Sequence, residues 1–172
     1  MMKWSIPAKT FLIGEYAAIS HAAGILLTTS PCFEISLNDS PQLEGIHPDS
    51  PAGLYWRRQK HPQGLKVYDP YTGKGGMGAS SAQFVAAYLA SQHLQKKKPE
   101  FEEMLTLYGH AAWPGTGLQP SGYDVLAQTQ ASVVYVNRGE GKLESFSWPF
   151  EDLSFLLIHT RQKLATHHHL QS

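Results

Sequence analysis

The run Gly73-x-Gly75-Gly76-x-Gly78-Ala79-Ser80-Ser81-Ala82 is the part of this sequence best suited to chemistry. Glycines let a backbone curl closely around an anion, and a helix starting directly after them turns its unpaired amides and positive dipole end toward the same point. Ser80 and Ser81 add hydroxyls where a phosphate oxygen or a Mg²⁺ would sit. The pattern is neither the Walker loop, which needs Lys-Ser/Thr after its last glycine, nor the dinucleotide fingerprint, which has a strand directly before its glycines. A glycine-rich turn leading into a capped helix has the same composition, so taken alone the run leaves both readings open.

Two further segments hold candidate charges. Pro7-Ala8-Lys9-Thr10-Phe11-Leu12-Ile13-Gly14-Glu15-Tyr16-Ala17 sets Lys9 at the start of an apolar strand and Glu15 at the turn that ends it. Lysine there can neutralise charge on a transferring phosphoryl group, although an ordinary solvated lysine reads the same way. Gln119-Pro120-Ser121-Gly122-Tyr123-Asp124 places Asp124 in the first turn of a short helix. The dipole favours a negative charge at that position, which suits a base receiving a hydroxyl proton and equally suits plain helix stabilisation. His167-His168-His169 is a weaker metal candidate, because three consecutive residues cannot all face one ion in a regular element; it reads as a frayed polar terminus.

The elements that must position these residues follow from pattern. Residues 3–37 are rich in Ile, Leu, Phe and Thr and punctuated by Pro7, Gly14, Gly24 and Pro31, which predicts several short strands. Residues 38–64 are dense in Asn, Asp, Ser, Pro and Gly and read as a long surface excursion, with room for one hairpin. Phe84, Val85, Tyr88, Leu89 and Leu94 recur at helical spacing and predict a helix over 79–95, closed by Lys96-Lys97-Lys98-Pro99. A second helix is expected from about Glu100 to Trp113, with Phe101, Met104, Leu105, Tyr108 and Ala112 on one side. Ser121 can cap a short helix through Gln130, and strands are expected at 131–136, 142–148 and 153–159.

With 172 residues, 42% of them hydrophobic, the chain has the size and apolar content of one domain with a substantial core. Fourteen basic residues balance fourteen acidic ones, so no global field draws in nucleic acid or an anionic membrane. Any anion must be held locally. No stretch approaches the apolar length of a spanning helix or a signal peptide, and the lone Cys32 fits a reducing compartment, so a cytoplasmic location is expected. Cys32, beside Pro31, reads as a small core residue.

Taken together, the Pro-x-Lys and Gly14-Glu15-Tyr16-Ala17 segment, the Gly-Gly-Met-Gly-Ala-Ser-Ser loop and Ser121-Gly122-Tyr123-Asp124-Val125 resemble, in that order, the motifs of the GHMP small-molecule kinases. The likeness is strongest to the phosphomevalonate kinase branch, with mevalonate kinase and diphosphomevalonate decarboxylase as cousins. The resemblance implies an α+β fold, a two-layer sandwich like the second domain of ribosomal protein S5, over residues 1–160. Residues 161–172 would begin a second, C-terminal domain that is otherwise absent, so that a homodimer or a partner chain would have to complete the cleft. It implies ATP and Mg²⁺ as cofactors and a small acidic metabolite, phosphomevalonate or mevalonate, as acceptor. It also implies a phosphate loop of Gly75, Gly76, Met77, Gly78, Ala79, Ser80 and Ser81, with Ser80 on the metal, Asp124 as the catalytic aspartate that orients or deprotonates the acceptor, and Lys9 pairing with that aspartate and the moving phosphate. The glutamate that mevalonate kinases use as a second Mg²⁺ ligand has no counterpart in His110-Ala111-Ala112-Trp113; Glu102 and Glu103 lie at the other end of that helix. A non-catalytic nucleotide-binding or assembly protein derived from the same fold is the alternative.

Overall fold

The computed structural model describes residues 2–72 and 74–158. Its spine is a pair of long antiparallel strands, β1 (Lys3–Ile13) and β2 (Gly24–Asn38), joined through a 3-10 turn at Ala17–Ser20. Several short strands were expected here, and the prolines explain the difference. The register slips between the Ile6–Phe33 and Ala8–Thr29 pairs, which leaves Pro7 and Pro31 in a bulge. A proline in a bulge removes no ladder hydrogen bond, so both strands run through theirs. Cys32 sits on the same bulge and is partly exposed, contrary to the core role expected of it; the neighbouring Phe33 takes the fully buried position.

Three short strands complete the sheet: β3 (Gly64–Tyr68), β4 (Val133–Asn137) and β5 (Lys142–Phe146). The order is β1-β2-β4-β5, with β3 paired to the C-terminal half of β2 while β4 takes the N-terminal half. Every ladder is antiparallel. Ile6, Phe33, Ile35 and Leu65 pack with the helices in the main core, whereas Lys3 and Glu34 bond each other at the solvent-exposed surface. This is the two-layer α+β arrangement the motifs imply.

The excursion expected over 38–64 instead contains a packed helix, α1 (Pro51–Gln59). Ser50 accepts a hydrogen bond from the Gly53 N–H at 3.2 Å, and Pro51 stands in the first turn. The turn formers of this region are therefore the start signal of a helix, since Ser caps orphan amides and Pro there gives up no hydrogen bond. Tyr55 and Trp56 are buried, Tyr55 lying against Phe84 at 5.4 Å between ring centroids. Each such aromatic contributes about 1.5–3 kcal/mol by leaving water, enough to hold the segment down.

The central helix α2 (Ala79–Leu94) matches its predicted span and is buried on nearly every side, its alanines letting α1 and the sheet approach closely. Helix α3 (Phe101–Ala112) packs Met104 inward and sets Tyr108 against Phe84 at 5.0 Å. Phe101 departs from the expected stripe: it is the first helical residue and is 49% exposed. Helix α4 (Tyr123–Ala127) is shorter than the predicted 121–130, and its N-cap is Gly122 rather than Ser121. Residues 153–158 form no strand; Trp148 gathers them instead, meeting Phe155 edge to face at 5.0 Å and donating to the Leu153 carbonyl at 3.0 Å. Gly73, His167-His168-His169 and the rest of 159–172 lie outside the described residues. Among the described residues no helix is long and apolar enough to cross a membrane.

Candidate functional site

Lys9 follows the β1 bulge directly, and its backbone N–H donates to the Met77 carbonyl at 3.1 Å. The strand that carries the lysine is thus joined to the glycine-rich loop. The aliphatic stem is buried between Gly78 and Phe11, with Nζ 5.3 Å from the Phe11 ring centroid. At its tip Nζ lies 2.6 Å from Asp124 Oδ1.

Asp124 is presented by a short but firmly held helix. Tyr123, the residue before it, is fully buried; its hydroxyl donates to the Ala22 carbonyl at 2.7 Å and accepts from the Arg138 N–H at 3.1 Å. Arg138 also donates to the Ser121 carbonyl at 2.6 Å. Gly122 turns the chain into the helix at φ +76°, where a Cβ would stand 2.6 Å from Leu105 Cδ2. A side chain at that position would meet both backbone strain and a clash. These contacts fix Asp124 in the first turn of α4, where its charge complements the helix dipole.

The loop divides into an open half and a docked half. Around Gly75 and Gly76 nothing lies within 4 Å of where a Cβ would be, and both are exposed. Gly78, at φ +80°, is the N-cap of α2 and lies so close to its neighbours that a Cβ would be 2.9 Å from Lys9 Cγ and 2.9 Å from Gln128 Nε2. Ser80 faces solvent. Ser81 is buried and donates its hydroxyl to the Gly78 carbonyl at 3.0 Å. The arrangement fits an anion: open space beside glycine backbone, the start of a sixteen-residue helix, and an exposed hydroxyl. Among the described residues no three His, Cys, Asp or Glu side chains converge as a metal cage. Mg²⁺ bound with a nucleotide keeps several waters and takes phosphate oxygens, so such a cage is not required for it.

Structure therefore brings Lys9, Asp124 and the Met77–Ser81 half of the loop into one site. Two residues that motif reading passed over join them. Gln128, one turn beyond Asp124, donates from Nε2 to the Pro7 carbonyl at 2.9 Å and the Gly78 carbonyl at 3.0 Å. Tyr108 faces the aspartate's charge from α3; burial first, and Asp124 second, push its phenol up to about 12. A helical stripe marks Tyr108 only as packing, and a glutamine near a helix end carries no motif, so neither had a signal in one sequence. Glu103 has its own work: Tyr88 OH donates to its Oε2 at 2.6 Å and Gln92 Nε2 at 2.9 Å, which ties α3 to α2.

No protein-family profile matches the chain, and no curated protein does. Solved structures do. The mevalonate kinase of Methanococcus jannaschii has a TM-score of 0.61 at 12% identity, over 86% of this chain and 56% of that one. The phosphomevalonate kinase of Streptococcus pneumoniae has a TM-score of 0.64 at 15% identity, over 78% and 47% of the two chains. The same enzyme in complex with phosphomevalonate and AMPPNP gives 0.53 at 15%, over 64% and 42%. The chain spans about half the length of the structures it matches. What this likeness establishes is a GHMP-kinase-like fold.

Proposed function

We propose that this chain, folded as part of a GHMP kinase, binds ATP and transfers its terminal phosphoryl group to a small acidic metabolite, with phosphomevalonate and mevalonate the first acceptors to test. One observation carries the proposal: the Lys9–Asp124 pair is closed at 2.6 Å, and the strand that carries its lysine is hydrogen-bonded to the glycine-rich loop at Met77. Phosphoryl transfer asks a protein mainly to position the reactants and neutralise the phosphate oxygens. ATP supplies the group to be moved, and Mg²⁺ the charge that offsets its oxygens.

The chain's own residues divide that work. Amides of the Gly75–Ser80 backbone hold phosphate oxygens, with Ser80 as the hydroxyl on the metal side and Ser81 fixing the Gly78 carbonyl from within. Lys9 presents its ammonium to the moving group. Asp124 orients the acceptor and takes its proton; a phosphate acceptor, already anionic at neutral pH, needs orientation more than deprotonation. Residues 1–160 constitute the nucleotide-binding domain. The acceptor side of the cleft is completed by a second surface, supplied by a further domain, a partner chain or a second copy.

Calorimetry with MgATP, followed by a coupled ADP-release assay over mevalonate, phosphomevalonate and sugars, tests the proposal. Acceptor-dependent ADP release that falls in Asp124→Asn and Lys9→Met supports it. Near-normal turnover in folded forms of both variants overturns the roles given to these residues. Nucleotide binding without turnover on any acceptor selects the non-catalytic alternative.

A further inference from the structure

We propose that Gln128 is a positioning residue of this site: its side-chain amide locks the Gly78 carbonyl to the strand that carries Lys9, so the anion loop and the lysine share one rigid frame. The inference rests on the nucleotide-binding function proposed above. Gln128 terminates α4, and its own N–H donates to the Asp124 carbonyl at 3.1 Å. Residues four apart on a helix share a face, so one turn of backbone presents both the carboxylate and the amide toward β1.

An amide nitrogen has two hydrogens, and both are used, one on Pro7 O and one on Gly78 O. Pro7 lies just before Lys9 in the β1 bulge, and Gly78 caps α2. The same Gly78 carbonyl also accepts from Ser81 Oγ at 3.0 Å and from the Ala82 N–H at 2.9 Å. Three donors thus converge on the one carbonyl at which loop becomes helix. The fit is tight enough that Gly78 has no room for a methyl group between Gln128 and Lys9.

The chemistry of the side chain separates positioning from filling. Gln128 is 2% exposed, and its Oε1 finds no hydrogen-bond partner among the described residues. A buried acceptor left unpaired is destabilising, and an apolar side chain of the same shape would avoid that cost. The amide is kept for its two donors. Without them the one hydrogen bond left between loop and β1 among the described residues would be Lys9 N–H···Met77 O, and Gly78 and the first amides of α2 could shift against the lysine.

The test uses the full chain and two variants, Gln128→Met, which keeps volume and loses both donors, and Gln128→His, which retains one N–H. Fold is followed by near-UV circular dichroism, affinity by MgATP calorimetry, and local order by hydrogen exchange at the amides of 77–82. Expected results are a tenfold or greater rise in the MgATP Kd for Gln128→Met, faster exchange confined to 77–82, and a smaller rise of about threefold for Gln128→His. MgATP binding by folded Gln128→Met within twofold of wild type overturns the positioning role and leaves the nucleotide-binding function standing. Should Gln128→Met fail to fold, Gln128→His decides by the same measure, a wild-type Kd and wild-type exchange overturning the role. Absence of MgATP binding by the wild-type chain overturns the proposed function itself, and exchange at 77–82 then still reports whether the clamp exists.

Discussion

Lys9 and Asp124 form an unequal pair: the lysine side chain is 11% exposed and that of its partner 35%. The ammonium is held inside the protein, while the carboxylate is partly open to solvent.

That inequality sets the order of two substitutions. Asp124→Asn leaves a buried cation with no counter-charge and is expected to destabilise the fold by about 1–3 kcal/mol, short of the full cost of a broken buried pair because the aspartate is partly hydrated. Lys9→Met leaves a carboxylate that water can reach, so its loss in urea unfolding should be the smaller of the two. Turnover should fall on the order of a hundredfold or more in both. Equal stabilities for the two variants would contradict the asymmetry.

Gly78→Ala and Gly75→Ala differ in both surroundings and backbone. At Gly78 the methyl group meets Lys9 and Gln128 at 2.9 Å on a left-handed backbone, and a loss of about 1–3 kcal/mol is expected in denaturant titration. At Gly75 nothing is within 4 Å, so fold stability should stay within about 0.5 kcal/mol of wild type while MgATP affinity drops.

Ser50→Ala removes the side-chain cap of α1. The expected cost is about 1 kcal/mol, a fall in Tm of about 2–4 °C, with MgATP affinity unchanged.

His61 introduces a pH dependence. Burial lowers its pKa from the ordinary 6.5, and its Nε2 lies 2.9 Å from the Oγ of the buried Ser91. Below 6.5 the unfolded chain takes up a proton that the folded one resists. Its contribution to stability is therefore retained above that pH and lost as pH falls. The urea midpoint should drop between pH 7.5 and 5.5 in wild type, and drop less in His61→Gln.

The helix 79–95 was legible because its apolar residues recur at helical spacing with no Gly or Pro among them, and the glycine-rich run before it reads as its approach. Lys9 and Asp124 were legible as motif residues, and the resemblance implied that they pair; strand β1 and the buried Tyr123 are what bring them together. The stretch 38–64 misled because Ser and Pro signal both a turn and the first turn of a helix, and only the burial of Tyr55 and Trp56 decides between them. Pro7 and Pro31 misled in the opposite direction. Each breaks a strand considered singly, but facing each other across a bulge they break neither. Gln128 was invisible because its two hydrogen bonds go to main-chain carbonyls, and no pattern of side chains records those.

Tyr88 and Gln92 grip Glu103 near the front of α3. That grip makes a fulcrum. Five residues further along, at a rise of about 1.5 Å each, the helix has travelled roughly 7.5 Å to reach Tyr108 beside the aspartate. A small tilt imposed at Glu103 would therefore reach the phenol as a sideways displacement in proportion to that length. Substituting Tyr88 or Gln92 is in this way expected to shift Tyr108 against Asp124.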